Sequence, residues 1–204
     1  MKRANLILLI DSSSSIKEKK IGAMEDAVLN IVQMFQALCS SNDQVEGYIG
    51  AMTFGSAASL HPLQNAEGYI YPGTVSKGET QMGAMLQRLS RELLVPCEEL
   101  SSTGDYKNIL VLLSDGGATD ILSEGYVEAL RNPSFVNSRR IAVSVGDRVN
   151  TRMLSSFCTL SCDLFKAEDI EPINDVLRST IETLVSPKPT LRFVRKRQFG
   201  EDWE

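Results

Sequence analysis

Residues 6–16 read LILLIDSSSSI: five consecutive apolar side chains, then Asp11, then the four serines Ser12 to Ser15. An unbroken apolar run of this length is the pattern of a strand covered on both faces, as in a parallel sheet sandwiched between helices. Such a strand delivers Asp11 to the rim of the sheet. In the loop that follows, alternating side chains converge, so Asp11, Ser13 and Ser15 group together while Ser12 and Ser14 point elsewhere. A serine row can equally be a linker or a helix cap, so this stretch needs support from the rest of the chain.

That support comes from the order of elements. Lys17 to Ser40 carries Ile21, Met24, Val28, Ile31, Val32, Phe35 and Leu38 at helical spacing, which predicts an amphipathic helix. Val45 to Phe54 reads as a strand, and Ala57 to Leu63 as its antiparallel neighbour, held to an edge by Pro62. Helical spacing returns over Thr80 to Leu94. Asn108 to Leu113 (NILVLL) is a second buried strand, followed by the turn SDGGATD and a helix over Ser123 to Arg131. Arg140 to Val145 is a third buried strand, Thr151 to Phe157 a short helix, Leu164 to Lys166 a short strand, and Ile170 to Leu184 a closing helix. Strands alternating with helices predict a Rossmann-like, three-layer αβα fold of the α/β class, with a mostly parallel sheet and one antiparallel edge strand. Ligands of such sheets bind beyond the carboxyl ends of the strands, where strand order reverses. If the first and second buried strands are neighbours, Asp11 and Asp115 emerge on the same rim.

The 204 residues, 43% of them hydrophobic, suit one domain over residues 1–186 and a tail over 187–204, where two prolines, a basic block and an acidic end replace the core pattern. The tail is expected to be frayed or a docking segment anchored by Phe193, Phe199 and Trp203. No apolar run reaches the roughly 20 residues of a membrane span, and Asp11 interrupts the opening too early for a secretory signal, which predicts a soluble cytoplasmic protein. The net charge of −5 argues against nucleic acid or an anionic membrane as partner. Cys39, Cys97, Cys158 and Cys162 are too scattered for a disulfide scaffold and read as buried reduced thiols. With His61 the only histidine, a Cys/His zinc site lacks material.

At the rim, Asp11-x-Ser13-x-Ser15, Thr80 before its helix and Asp115 after the facing strand form a set of oxygen donors suited to a small hard dication. Taken singly, Thr80 is a helix N-cap and Asp115-Gly116-Gly117 an ordinary turn. Together the five positions resemble the von Willebrand factor A (vWA) domain, whose metal-ion-dependent adhesion site (MIDAS) is built from D-x-S-x-S, a distant Thr and a distant Asp. The resemblance covers roughly residues 4–186. It implies metal binding by Asp11, Ser13, Ser15, Thr80 and Asp115, with Mg²⁺ as the ion (or Mn²⁺ or Ca²⁺) and an acidic side chain of a partner protein completing its coordination. The phrases ILLIDSSSSI, SKGETQMGAML and VLLSDGGATD are most like the intracellular bacterial group associated with tellurite and stress resistance. This implies a setting in which a phosphatase or kinase is a partner. The chain departs from many members in having Ser14 in place of Gly and Ser114 in place of Thr.

Two other classes remain. Asp11 at its strand end could accept a phosphoryl group, and Asp11 with Asp115 could hold Mg²⁺ for that chemistry, although DSSSS lacks the second carboxylate that aspartyl-phosphate hydrolases carry two residues on. Alternatively the module is a metal-independent scaffold. Asp120 is expected to cap the helix that follows it or to hold loop geometry, and Glu79 to face solvent or support the site from behind.

Overall fold

In the computed structural model the described residues are 1–16, 19–55, 59–74, 78–94 and 105–186, with Lys19 as backbone only. The expectations for the 187–204 tail, for Cys97 and for the start of the edge strand at residues 57–58 lie outside them. β1 (Lys2–Asp11) pairs in parallel with β2 (Val45–Phe54) on one side and β4 (Tyr106–Ser114) on the other. β3 (Leu60–Asn65) adds antiparallel to β2, and β5 (Arg139–Ser144) and β6 (Leu164–Lys166) extend the far side in parallel. The six strands run β3-β2-β1-β4-β5-β6. The order therefore reverses between β1 and β4, and that crevice is where the carboxyl ends carry Asp11 and Asp115.

The apolar run of β1 is divided between two cores. Leu6, Leu8 and Ile10 pack with Met24, Val28, Ile31 and Phe35 of α1 (Lys19–Ser40) and with Ile173, Leu177 and Ile181 of α6 (Ile173–Val185). Ile7 and Leu9 face the other way. They meet Met82, Met85 and Leu86 of α2 (Met82–Arg88), Ala129 of α3 (Leu122–Ala129), and Leu154 and Phe157 of α5 (Thr151–Phe157). The short α4 (Pro133–Val136) contributes Phe135 to this second core. Each fully buried Leu, Ile or Phe stabilises the sandwich by about 1.5–3 kcal/mol, so β1, covered on both faces, is the hardest strand to disturb.

Element boundaries depart from the sequence reading where hydrophobicity is silent. β1 begins at Lys2 because the ladder to Val45–Gly47 continues past the apolar run, with the Arg3 guanidinium 3.8 Å over the Tyr48 ring. The helix expected over Thr80 to Leu94 is regular only from Met82 to Arg88, then widens into a π turn at Leu89–Leu93. There Ser90 donates its hydroxyl back to the Leu86 carbonyl (3.1 Å), and its own carbonyl accepts from Asn132 Nδ2 (3.1 Å). These side-chain bonds compete with the helical ladder. The edge strand runs over Leu60–Asn65 and not Ala57 to Leu63, with Pro62 and His61 on it as expected.

Candidate functional site

Asp11 closes β1 opposite Phe54 and is completely buried. A carboxylate withdrawn from water is costly unless its oxygens are engaged. Here Oδ1 accepts the Ser13 N–H (2.9 Å) and Oδ2 accepts the Ser114 hydroxyl (2.7 Å). Burial nevertheless pushes the Asp11 pKa above its ordinary value. The bonds from Ser114 and Ser13 oppose the shift, and the neighbouring Asp115 charge adds to it. Two acidic groups thus share one rim.

The four serines divide by position. Ser12 directs both its N–H (2.8 Å) and its hydroxyl (3.0 Å) to the Phe54 carbonyl, tying the loop to the end of β2. Ser13 and Ser15 bring their hydroxyl oxygens to 2.9 Å from each other. Ser14 is not an idle spacer. Its N–H donates to the Gly78 carbonyl (2.8 Å) and its hydroxyl accepts the Gly78 N–H (2.9 Å). That reciprocal pair fastens the serine loop to the segment that carries Thr80.

Thr80 is buried, and its carbonyl accepts both the N–H (2.9 Å) and the hydroxyl (3.1 Å) of Thr119, so the turn after β4 grips the same segment. Two local expectations are corrected at this point. Thr80 does not cap α2, whose N-cap position is Gln81 with no side-chain bond. The cap comes from Asp120, which accepts the N–H groups of Gly83 (3.0 Å) and Ala84 (2.8 Å). Asp120 accordingly does not cap the helix after it, where Ile121 sits at the N-cap without a side-chain bond. A carboxylate on the free N–H groups of a helix end satisfies orphan donors and complements the helix dipole, which favours α2 over α3 as its target only because the loops cross there.

Asp115 follows β4 on the turn the sequence indicated. Its Oδ1 accepts the Gly117 N–H (3.1 Å), and its carbonyl accepts the Asn150 N–H (2.8 Å). Gly116 has φ +81°, and a Cβ there would stand 2.7 Å from the Asn150 carbonyl oxygen, so the turn requires glycine twice over. The Gly116 N–H in turn bonds the Ser114 oxygen (3.0 Å), which makes Ser114 the joint between the Asp11 and Asp115 sides.

Sequence reasoning missed Lys20. From the first turn of α1 its Nζ reaches Asp115 Oδ2 at 3.3 Å, and its stem lies over Gly146, where a Cβ would meet the lysine Cε at 2.4 Å. The helical stripe placed Lys20 off the apolar face but could not tell it from Lys17 and Lys19.

The structure therefore brings Asp11, Ser13, Ser15, Thr80 and Asp115 to one rim, on three loops that are bonded to one another. The donor set is two carboxylates with hydroxyls, and among the described residues no group of three or more His, Cys, Asp or Glu side chains is placed to hold a metal. An all-oxygen set with few formal charges suits a hard dication and disfavours one that wants thiolate or imidazole. Elsewhere, Cys39 and Cys158 are buried, as expected, whereas Cys162 is exposed. Among the described residues no helix is long and apolar enough to cross a membrane.

Residues 5–179 match the von Willebrand factor type A domain family, and the chain belongs to it. That family comprises metal-dependent protein-interaction modules. No curated protein sequence matches the chain significantly. Among solved structures, it is similar to proximal thread matrix protein 1 from the mussel byssus with a zinc-occupied MIDAS motif (18% identity, TM-score 0.59), covering 88% of this chain and 46% of that one. It is similar also to the pilus adhesin SpaC from Lactobacillus rhamnosus GG (13% identity, TM-score 0.60), covering 90% of this chain and 30% of that one. A third is an aerotolerance-related membrane protein from Bacteroides fragilis (14% identity, TM-score 0.53), covering 89% and 98%. The chain spans about half the length of the mussel proteins it matches. At these identities the likeness establishes the fold.

Proposed function

We propose that residues 1–186 form a non-enzymatic protein-binding module in which Asp11, Ser13, Ser15, Thr80 and Asp115 hold Mg²⁺ and an acidic side chain of a partner protein completes the coordination. The observation that carries this reading is the 2.9 Å approach of the Ser13 and Ser15 oxygens beside the fully buried Asp11. Two hydroxyl oxygens held together next to a desolvated carboxylate form a ready pocket of hard donors. When bound, the ion supplies an electropositive coordination position that a carboxylate can fill. The chain's own residues do the rest: Ser114 and the Ser13 N–H hold Asp11 in place, Ser14 locks the serine loop to the Thr80 segment, and Lys20 neutralises part of the Asp115 charge. The zinc-occupied site of the mussel protein is consistent with a divalent ion at the same motif. Mn²⁺ and Ca²⁺ are the substitutes we expect. A cytoplasmic setting in a bacterial stress or tellurite-resistance system, with a phosphatase or kinase as partner, follows from the resemblance in the sequence and is part of the same proposal.

Phosphoryl transfer through Asp11 is disfavoured by the sequence around it. Position 13 is a serine, so the second carboxylate that aspartyl-phosphate chemistry uses as acid and base two residues on is missing. Calorimetric titration with Mg²⁺ tests the proposal. Wild type should bind, Asp11→Ala should not, and Ser13→Ala and Ser15→Ala should bind more weakly than Ser12→Ala, whose hydroxyl serves only the Phe54 carbonyl. Identical heats from wild type and Asp11→Ala would overturn it.

A further inference from the structure

The opposite end of the sheet holds a cavity. About 340 Å³ in volume, it opens between the starts of β4 and β5 and the last turns of α6, and its walls include Lys107, Arg139, Thr159, Thr180, Thr183 and Ser186. Along β4, Lys107 lies seven residues from Ser114, which sets this cavity roughly 23 Å from the Asp11 rim at about 3.3 Å per strand residue. A volume of this order is that of a site for a small molecule.

Its charge is the distinguishing feature. Among the described residues two cationic side chains line the cavity and no carboxylate does, in a chain whose net charge is −5. Arg139 gives one nitrogen to the fully buried Asp163 (2.6 Å), but its Nε is buried with no hydrogen-bond partner. An orphaned guanidinium donor next to a void is a donor awaiting an acceptor. Lys107 spends one proton on the Asn137 carbonyl (2.5 Å) and has no ion-pair partner among the described residues. Its ammonium is held below its ordinary pKa, first by burial and then by the charges of Arg139 and Arg140. Arg140 itself is committed to the Phe135 and Phe157 carbonyls. The surrounding hydroxyls are oriented as acceptors: Thr180, Thr183 and Ser186 each donate at 2.7 Å to a carbonyl of their own helix, leaving lone pairs for the cavity.

We infer that this cavity binds a small phosphorylated polyol, its phosphate held by Lys107 and Arg139 and its hydroxyls donating to the threonine and serine oxygens of α6. A phosphate accepts from a guanidinium edge and an ammonium at once, which is the geometry arginine and lysine present together. The hydroxyl-bearing part distinguishes this ligand from inorganic phosphate, whose P–OH groups sit on the phosphorus itself and cannot reach along the acceptor wall while the phosphate is held by the cations. The site is independent of the Asp11 rim.

The test uses the full chain without Mg²⁺ and titrates glycerol 3-phosphate and inorganic phosphate by calorimetry at constant ionic strength. Saturable binding of glycerol 3-phosphate with Kd of about 1 mM or tighter is expected, with inorganic phosphate weaker. Lys107→Gln should weaken it roughly tenfold, as loss of a charge-assisted hydrogen bond does, and Thr183→Glu, which puts a carboxylate on the wall, should abolish it. Asp11→Ala should leave it unchanged. Retained Mg²⁺ binding by Lys107→Gln and Thr183→Glu shows that these variants are folded. No saturable heat in wild type up to about 20 mM, or wild-type affinity in both cavity variants, would overturn the inference.

Discussion

Lys20→Met isolates the one cation that the described residues bring to the proposed metal site. The side chain keeps its length and its apolar stem over Gly146, and loses only the charge that stands 3.3 Å from Asp115 Oδ2. At that separation two unit charges attract by about 5 kcal/mol at an effective dielectric near 20 and by about 1.3 kcal/mol in water. The lysine side chain is 28% exposed, and partly solvated pairs of this kind are worth about 1 kcal/mol once side-chain entropy and screening are counted. A divalent ion competes with Lys20 for the same carboxylate, so removing the ammonium should return about that free energy to ion binding. Mg²⁺ should therefore bind Lys20→Met roughly fivefold more tightly than wild type, and the gain should shrink as salt rises, because screening already weakens the pair in wild type. With the lysine gone the ion-loaded rim is also one unit less positive, so a carboxylate ligand such as acetate should bind the loaded variant more weakly. Calorimetric titration of Mg²⁺ at two salt concentrations, with Asp11→Ala as the non-binding reference, reads both effects. Unchanged or weaker Mg²⁺ affinity in Lys20→Met, with binding intact in wild type, would refute the competition.

Three further outcomes follow from the packing. Burial pushes the Cys39 and Cys158 thiols to about 11, so at pH 8 they carry roughly two-hundredfold less thiolate than an ordinary cysteine, and their thiolates appear only as pH rises toward that value; exposed Cys162 should therefore react with iodoacetamide before either of these two, as read by peptide mass mapping. Gly116→Ala forces a Cβ onto a φ of +81° and to within 2.7 Å of the Asn150 carbonyl, which should cost about 2 kcal/mol and lower Tm by roughly 4–8 °C in a thermal melt. Asp163→Asn leaves Arg139 without its buried counter-charge and should destabilise by about 3 kcal/mol in urea titration; a loss under 1 kcal/mol would mean the pair contributes little.

What could be read in advance divides along the range of the interaction. Strand and helix identities follow from local period, and the shared rim of Asp11 and Asp115 follows from topology once β1 and β4 are taken as neighbours, whereas the full set of five candidate ligands rests on the resemblance to the family. The bonds that hold them were not legible, because each joins loops distant in sequence. Asp120 caps α2 across 36 and 37 residues, Ser14 meets Gly78 across 64, Lys20 meets Asp115 across 95, and Ser114 meets Asp11 across 103. Residue type fixes what each of these side chains can do. Only loop crossing decides to whom it does so.

Those long-range bonds also divide the rim into two parts with different tolerances. Asp11 is fixed: it is fully buried, held by Ser114 and by the Ser13 N–H, and backed by a strand in contact with both cores. The Thr-to-Ser departure at Ser114 keeps the one feature this part needs, a hydroxyl donor for Asp11 Oδ2, and removes only a methyl. The Asp115 side is adjustable, since its partners are a turn N–H and a partly exposed lysine. Changes on the Asp11 side should therefore act through folding stability together with ion binding. Changes at Lys20 should tune the proposed ion affinity at a stability cost of only about 1 kcal/mol, so tuning of that affinity falls to the Asp115 side of the proposed site.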